Sequence, residues 1–458
     1  MGKFFSIILV MCSLNLTAQD EDALFIQKIH EHILAEGRSY EWLSQLCTGY
    51  PGRIAGSPQD SGASRFMLDL LQRIGTDTSY LQQTETNYWY RGDIEEAYQV
   101  LPDGSLNKLN AIALGGSGAT PDRGMTAQIL EIQSLDELEK LNDEDVTGKI
   151  VFFNRPMDPA QIRTFRAYGG AVDQRVYGPA TASKKGAVAA IVRSMTLKKD
   201  DIPHTGVTVF ADSIAKIPAF GISTNDADKL SKQLKENAVY VYLRNNPADM
   251  GLRPTWNVVG EIKGYEKPEE ILLVGGHLDS WDVGQGAHDD GSGCIQSVEV
   301  LSALKLLGYK PKRTLRAVMF ANEENGLAGG RAYARISGEK GEFHLAAIES
   351  DAGGFSPRGF SFEADTAVFK NYYRAVTQWL PVLESYGLQF EMGGSGADIG
   401  PLKYQKGLLI GLRPDSQRYF DYHHTAADTI DAVNERELKL GAAAMASLIY
   451  LIDKYGLN

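Results

Sequence analysis

Cysteine is scarce: the 458-residue chain has three. Cys12 lies in the N-terminal apolar run, which leaves Cys47 and Cys294. Two thiols in a chain of this length exclude a disulfide framework, even in an oxidising compartment. Cys294 sits in "CIQSVEVLSALKLL" and reads as a small core hydrophobe. Nothing local favours a Cys47–Cys294 bridge. A basic excess is also missing. Lys and Arg total 46 against 58 Asp and Glu, for a net charge of -12. With no Lys/Arg-rich run, a nucleic-acid partner is excluded. Beyond the N-terminus no stretch approaches the ~18 apolar residues of a membrane-spanning helix, so no stable membrane insertion is expected. Internal repeats and low-complexity tracts are absent. The Gly-rich "GSGAT" and "GGSGAD" follow no phosphate-loop pattern.

The N-terminus reads "MGKFFSIILVMCSLNLTAQDEDA": one lysine, an apolar run from Phe4 to Leu16, then small and polar residues. That is the layout of a secretory signal peptide cut near Ala18. The run is short for a bilayer, and Met11 before Cys12 fits a lipoprotein signal poorly. The expectation is a secreted or periplasmic protein. The length points to more than one domain.

Downstream, "EDALFIQKIHEHILAEG" has helical spacing, "CTGYPGRIAGSPQDSG" is turn-rich, and "ASRFMLDLLQRIG" is an amphipathic helix stopped by Gly75. "NYWYRG" and "EAYQVL" read as strands. Residues 117–245 read as a module of their own, with strands in "GKIVFFNR", "GAVAAIV" and "IPAFGIS" and a capped helix in "TNDADKLSKQLKEN". None of its pieces carries a metal-like or nucleophile-like cluster. From about residue 254 the pattern becomes strand, loop, helix, repeated, through "EEILLVGGHLDS", "RTLRAVMFANEENG", "HLAAIESDAGGF" and "KGLLIGLRP" to a closing helix in "NERELKLGAAAMASLIYLIDKYG". Near-continuous apolar strands alternating with helices predict an α/β fold: a mostly parallel mixed sheet with helices on both faces.

In such sheets ligands bind beyond the carboxyl ends of the strands. At those ends stand His277, Asp289, the pair Glu323–Glu324, Asp351 and His424, each group from a different loop. Carboxylates this close repel one another unless a positive charge sits among them. Two imidazoles and three carboxylates are enough to ligate two divalent ions if one carboxylate bridges them, and a second glutamate stays free as a base. Imidazole and carboxylate without thiolate suit Zn²⁺ best, with Mn²⁺ or Co²⁺ as alternatives.

The ordered segments "GGHLDSWDVGQGAHDDGSG", "ANEENG", "ESDAGG" and "HHTAADT" resemble the di-zinc aminopeptidase family of co-catalytic zinc exopeptidases. The resemblance implies the zinc exopeptidase fold with an inserted β-rich protease-associated domain. Its division would be a signal peptide at 1–18, an N-terminal part of the peptidase domain at 19–116, a protease-associated lid at 117–245 and the zinc peptidase domain at 246–458. It also implies two Zn²⁺ per chain. His277 and Asp351 would hold one, Glu324 and His424 the other, and Asp289 would bridge them. Glu323 would be the general base for a metal-bridging water, and Asp279 would orient the His277 ring. The implied activity is hydrolysis of the N-terminal peptide bond of dipeptides or short peptides, and a homodimer is left open. Two further family readings stand beside it: a single-zinc glutaminyl cyclase and a non-catalytic receptor-like member.

Other residues read more plainly. The family pattern skips His288, and the spacing in "HTAADT" favours His424 over His423, which is left to the substrate pocket. Asp428 and Thr429 are expected to fix their loop by local hydrogen bonds. Asp282 and Asp290 are expected behind the ligands or in solvent, and Asp398 supports either a loop or the site. Trp281 and the aromatics of "YFDYHH" either contact substrate or pack. His30, His32, His204 and His344 are given no role. No basic pair that would clamp an acidic substrate is evident, with Arg53, Arg358 and Arg413 the nearest candidates.

Overall fold

The computed structural model describes residues 21–457. The expected signal peptide therefore lies outside the described residues. Among the described residues no helix is long and apolar enough to cross a membrane.

The strands form two eight-stranded sheets. β1 (Thr78–Tyr90) opens the first. The chain then builds the whole of the second with β2 (Glu95–Val100), β3 (Leu106–Lys108), β4 (Ala111–Ala113), β5 (Met125–Ile132), β6 (Ile150–Phe153), β7 (Ala189–Arg193), β8 (Ala219–Ile222) and β9 (Tyr240–Asn245). It returns to the first with β10 (Ala248–Ile262), β11 (Lys267–His277), β12 (Arg313–Phe320), β13 (Phe343–Glu349), β14 (Pro357–Glu363), β15 (Gln389–Met392) and β16 (Leu408–Pro414). β1 and β10 pair antiparallel out to Tyr90 opposite Ala248, so the chain enters and leaves the second sheet side by side.

The first sheet runs β1-β10-β12-β11-β13-β16-β14-β15. Its centre, β12, β11, β13 and β16, is parallel, and β10 and β14 flank it antiparallel. The mostly parallel mixed sheet is thus observed. The apolar runs behave as a sheet covered on both faces demands, with β12 buried along its whole length. Helix Ser292–Leu306 is buried on nearly every side and packs between the sheet and helix Glu435–Tyr455. Its polar side chains find partners inside: Gln296 donates to the Leu438 carbonyl at 3.1 Å and accepts from Ser350 Oγ at 2.7 Å. β14 and β15 are two strands that periodicity did not single out.

The second sheet runs β3-β2-β9-β5-β6-β7-β8-β4. β2 to β4 already belong to it, so its strands begin at Glu95, ahead of the expected division at 117. β4 shows why: it is three residues long and pairs with β8, Ala111 opposite Ile222. A partner that far along the chain leaves no local signal. Nor is this region simply β-rich, because helices cover it. Ile150 and Phe152 pack on one face with Leu230 of helix Thr224–Leu234, and Val151 and Phe153 on the other with Leu138 and Ala182, the alternation of a strand buried on both sides. The second cluster runs on into Phe355, Tyr419 and Phe420 of the first-sheet region, so the two halves share apolar packing beside the metal-like residues.

Candidate metal centre

Because β11, β12, β13 and β16 run parallel, their carboxyl ends lie along one edge; His277 is level with Phe320. His277 is the last residue of β11, Glu323 and Glu324 follow β12, Asp351 follows β13, and His424 lies on the loop after β16. Asp289 comes from the turn Ala287–Gly291 ahead of the buried helix. Gly293 lets that turn lie close: a Cβ there would collide with the Ser350 carbonyl and stand 2.5 Å from Asp290 Oδ2.

The structure brings these residues together. His277 Nε2 is 3.2 Å from Asp289 Oδ1 and 3.5 Å from Asp351 Oδ1. His424 Nε2 is 3.0 Å from Glu324 Oε2 and 3.4 Å from Asp289 Oδ2. Among the described residues, the groups able to present ligand atoms within 4.8 Å of one another include His277–Asp289–Glu324 and Asp289–His423–His424. Asp289 Oδ2 and Glu324 Oε1 are buried with no hydrogen-bond partner. Orphaned buried acceptors are costly, and a cation satisfies them. The donor set therefore fits a metal.

Charge says the same. Burial alone would lower the pKa of His277, yet the hydrogen bonds to Asp289 and Asp351 outweigh it and hold the imidazole well above its ordinary value. Burial, followed by the Asp289 charge, pushes Glu324 well above the carboxylate range. The acids here outnumber the bases in a dry setting, which is a site that attracts positive charge.

The residues around the cluster divide clearly. Asp279 lies against His277 but not as expected: its main-chain oxygen stands 2.9 Å from Nδ1, and its carboxylate is 3.9 Å away. That carboxylate instead accepts from the amides of Glu323 at 3.0 Å and Glu324 at 3.3 Å, so it holds the glutamate pair. Asp290 also falls within a possible ligand group. Its oxygens already accept from the amides of His277 at 3.1 Å and Gly293 at 3.0 Å, so it shapes the turn and is not solvated. Asp428 accepts from the amides of His288 and Asp289 at 2.7 and 3.1 Å, fixing the loop it faces. His288 stacks on Phe355 at 4.1 Å and takes the Gly354 amide at Nδ1, away from the cluster. His423 stacks on His424 at 3.5 Å, with Nε2 at 3.8 Å from Asp289, farther than its neighbour. Asp398 is buried behind the site with both oxygens unpartnered, and burial, followed by Glu349, pushes its carboxyl well up.

A cavity of about 280 Å³ opens on the cluster. Asp289, Glu323, Glu324, Asp351, His423 and His424 form its floor, and Tyr419 and Phe420 line one side. Trp281 does not line it; it packs edge-on against His424. The remaining wall is Phe165, Tyr168, Arg175 and Val207, all from the second-sheet region, where the sequence showed no site residues. They are ordinary residue types without a motif, and only their approach to the cluster marks them. Arg53 is wholly buried and donates to the carbonyls of Leu278, Gln285 and Gly286, so it braces the loop that carries Asp289. Arg358 and Arg413 line a neighbouring cavity of about 560 Å³ that meets the first at Phe165.

Residues 257–449 match the family described as Peptidase family M28. Carboxypeptidase Q from Mus musculus is 34% identical over 422 residues, which span 91% of this chain and 86% of that protein. The crystal structure of the Peptidase M28 precursor from Shewanella amazonensis SB2B superposes with a TM-score of 0.90 at 32% identity, over 96% of this chain and 99% of that one. The aminopeptidase from Aneurinibacillus sp. strain AM-1 shares the fold, with a TM-score of 0.63 at 20% identity over 93% of this chain and 95% of that one. Since the likeness runs through both sheets and not the matched segment alone, the chain as a whole belongs to peptidase family M28.

Proposed function

We propose that the protein is a secreted metallo-exopeptidase that holds two zinc ions and releases the N-terminal residue of dipeptides or short peptides. The observation that carries this reading is Asp289. Its two oxygens face different imidazoles, Oδ1 toward His277 and Oδ2 toward His424, as a carboxylate shared by two cations must. On this reading His277 and Asp351 hold one zinc, Glu324 and His424 the other, and the second-sheet region is a protease-associated insert. A set that joins imidazoles to carboxylates suits zinc. The likeness to carboxypeptidase Q supports a peptidase substrate, and the layout of the N-terminal segment supports export.

Bound in this cluster, the ions supply Lewis acidity and a water of lowered pKa. The chain's own residues do the remaining work. Glu323 lies on the cavity floor but in none of the possible ligand groups among the described residues, which leaves its carboxylate free to take the proton of the attacking water and return it to the leaving amine. Burial, together with Asp351, pushes it up to about 8; nearby positive charge acts the other way and favours the ionised base. Asp279 holds the amides of both glutamates and so fixes the base relative to the ligands. The cavity, at about 280 Å³, lies at the small end of ligand pockets, which start near ~300 Å³, and suits a dipeptide better than a protein segment.

The test is metal content by mass spectrometry on the mature protein, with a dipeptide panel for wild type and Glu323→Gln. Two zincs in both proteins are expected, with turnover reduced by about 10²–10⁴-fold in the variant. One zinc per chain would favour a cyclase, and none after zinc is offered would overturn the reading.

A further inference from the structure

We infer that the metal site is completed by the second-sheet region, in which Thr205, Gly206 and Arg175 act as positioning residues for the ring of His424. This rests on the proposed role of His424 as a metal ligand.

An imidazole offers Nε2 to a cation only while Nδ1 keeps its proton, and that proton needs an acceptor. For His277 the acceptor is local: the carbonyl of Asp279, two residues on, at 2.9 Å. For His424 it is remote. The Thr205 carbonyl lies 3.3 Å from Nδ1, across 219 residues of sequence. The Thr205 amide donates to the His424 carbonyl at 3.0 Å, so the backbone of one half grips the ring and main chain of the other. Arg175 closes the arrangement. A guanidinium only donates, so it holds the acceptor and not the protonated Nδ1 3.3 Å away: Nη1 donates to the same Thr205 oxygen at 3.5 Å, and Nη2 donates to Tyr168 Oη at 2.8 Å.

Gly206 makes this approach possible. Its φ is +132°, which L side chains rarely adopt, and a Cβ there would collide with the Arg175 guanidinium and stand 2.7 Å from His424 Nδ1. The loop is tied from behind by Arg91, where the chain enters the second sheet. Arg91 donates to both oxygens of Asp282 on the metal loop and to Thr205 Oγ1 at 3.3 Å. Thr205 Oγ1 in turn donates to the Ala113 carbonyl at 2.8 Å. One half of the cluster is thus set by its own loop and the other by docking of the second-sheet region. Docking and occupancy of the Glu324–His424 side are therefore linked, each favouring the other.

The experiment is chelator competition on the zinc-loaded full chain, read as ions bound per chain, for wild type, Gly206→Ala and Asp282→Asn. In Gly206→Ala one ion is expected to be held about 10–100-fold more weakly, with the other unmoved. Asp282→Asn, which loosens only the Arg91 tie, is expected to show the same selectivity with a smaller shift. A merely structural role would lower the melting temperature of the metal-free chain and weaken both ions alike. Equal weakening of both, or retention of both at wild-type affinity in Gly206→Ala, overturns the inference. If Gly206→Ala does not fold, the selectivity of Asp282→Asn decides alone. A wild-type chain that takes up no zinc overturns the proposed function itself. A wild type with two zincs beside an unselective variant overturns only this inference.

Discussion

The two sheets have equal numbers of strands, and each has a run of parallel strands at its centre, β12-β11-β13-β16 in one and β5-β6-β7-β8 in the other. In the first, the residues beyond the parallel strands bring together three imidazoles, those of His277, His423 and His424, and four carboxylates. In the second they converge with no such group: every possible ligand set among the described residues draws on the first-sheet region. Parallel strand ends make a place for a site, and the side chains on the loops decide whether chemistry happens there. The second sheet contributes shape instead, an aromatic wall and one buried guanidinium over the cavity. It also contributes an acceptor for the His424 imidazole of the other half, so the division between a chemical half and a shaping half is not complete.

The largest expected effect tests the chemical half. Asp289→Ala removes the carboxylate placed between both imidazoles. It should reduce bound zinc from two per chain to at most one weakly held ion and abolish peptide hydrolysis, read by mass spectrometry and the dipeptide panel. Retention of two tightly held ions would remove Asp289 from the bridging position. A smaller effect addresses the shaping half. Phe153 is wholly buried in the second sheet, and Phe153→Ala should cost about 3–5 kcal/mol. Hydrogen exchange should then show protection lost from β5 to β8 while β11 to β13 keep theirs. Equal loss in both sheets would show that they unfold as one unit.

The smallest effect belongs to the first-sheet core alone. Glu299, on the buried helix, accepts from the Arg38 amide at 2.7 Å, and burial pushes its carboxyl from 4.5 to about 7. Folding therefore takes up a proton between those values, and the stability this contributes is full below about 4.5 and lost as pH rises through about 7. Glu299→Gln should match wild type at low pH and exceed it by up to about 3 kcal/mol at pH 8, measured by denaturant unfolding. An advantage that does not grow with pH would assign the effect to packing.

Much of the first sheet is legible in the chain because its signals are local. "ILLVGGH" is an apolar run that stops at an imidazole, and "ANEENG" places paired acids directly after another. The bridging position of Asp289 could be proposed because its segment resembles a family pattern. The second-sheet region hides its contribution for the opposite reason. Thr205 and Arg175 act through a carbonyl and a guanidinium that any sequence has in plenty, and β4 earns its place only from β8, about a hundred residues later. Asp279 shows the same limit at closer range: its proximity to His277 was readable, but which of its oxygens meets the ring depends on where the Glu323–Glu324 turn falls.

By itself the sequence determined the parallel α/β core, the absence of a disulfide framework or a basic binding face, and the identity of the acids and imidazoles gathered at the strand ends, because apolar period, composition and motif spacing are carried by neighbouring residues. Only the tertiary structure decided that Asp289 faces both imidazoles, that the carboxylate of Asp279 serves the glutamates, and that residues of the second sheet close the cavity and meet His424. Those are distances between segments remote in the chain, and they exist only once packing has brought the segments together.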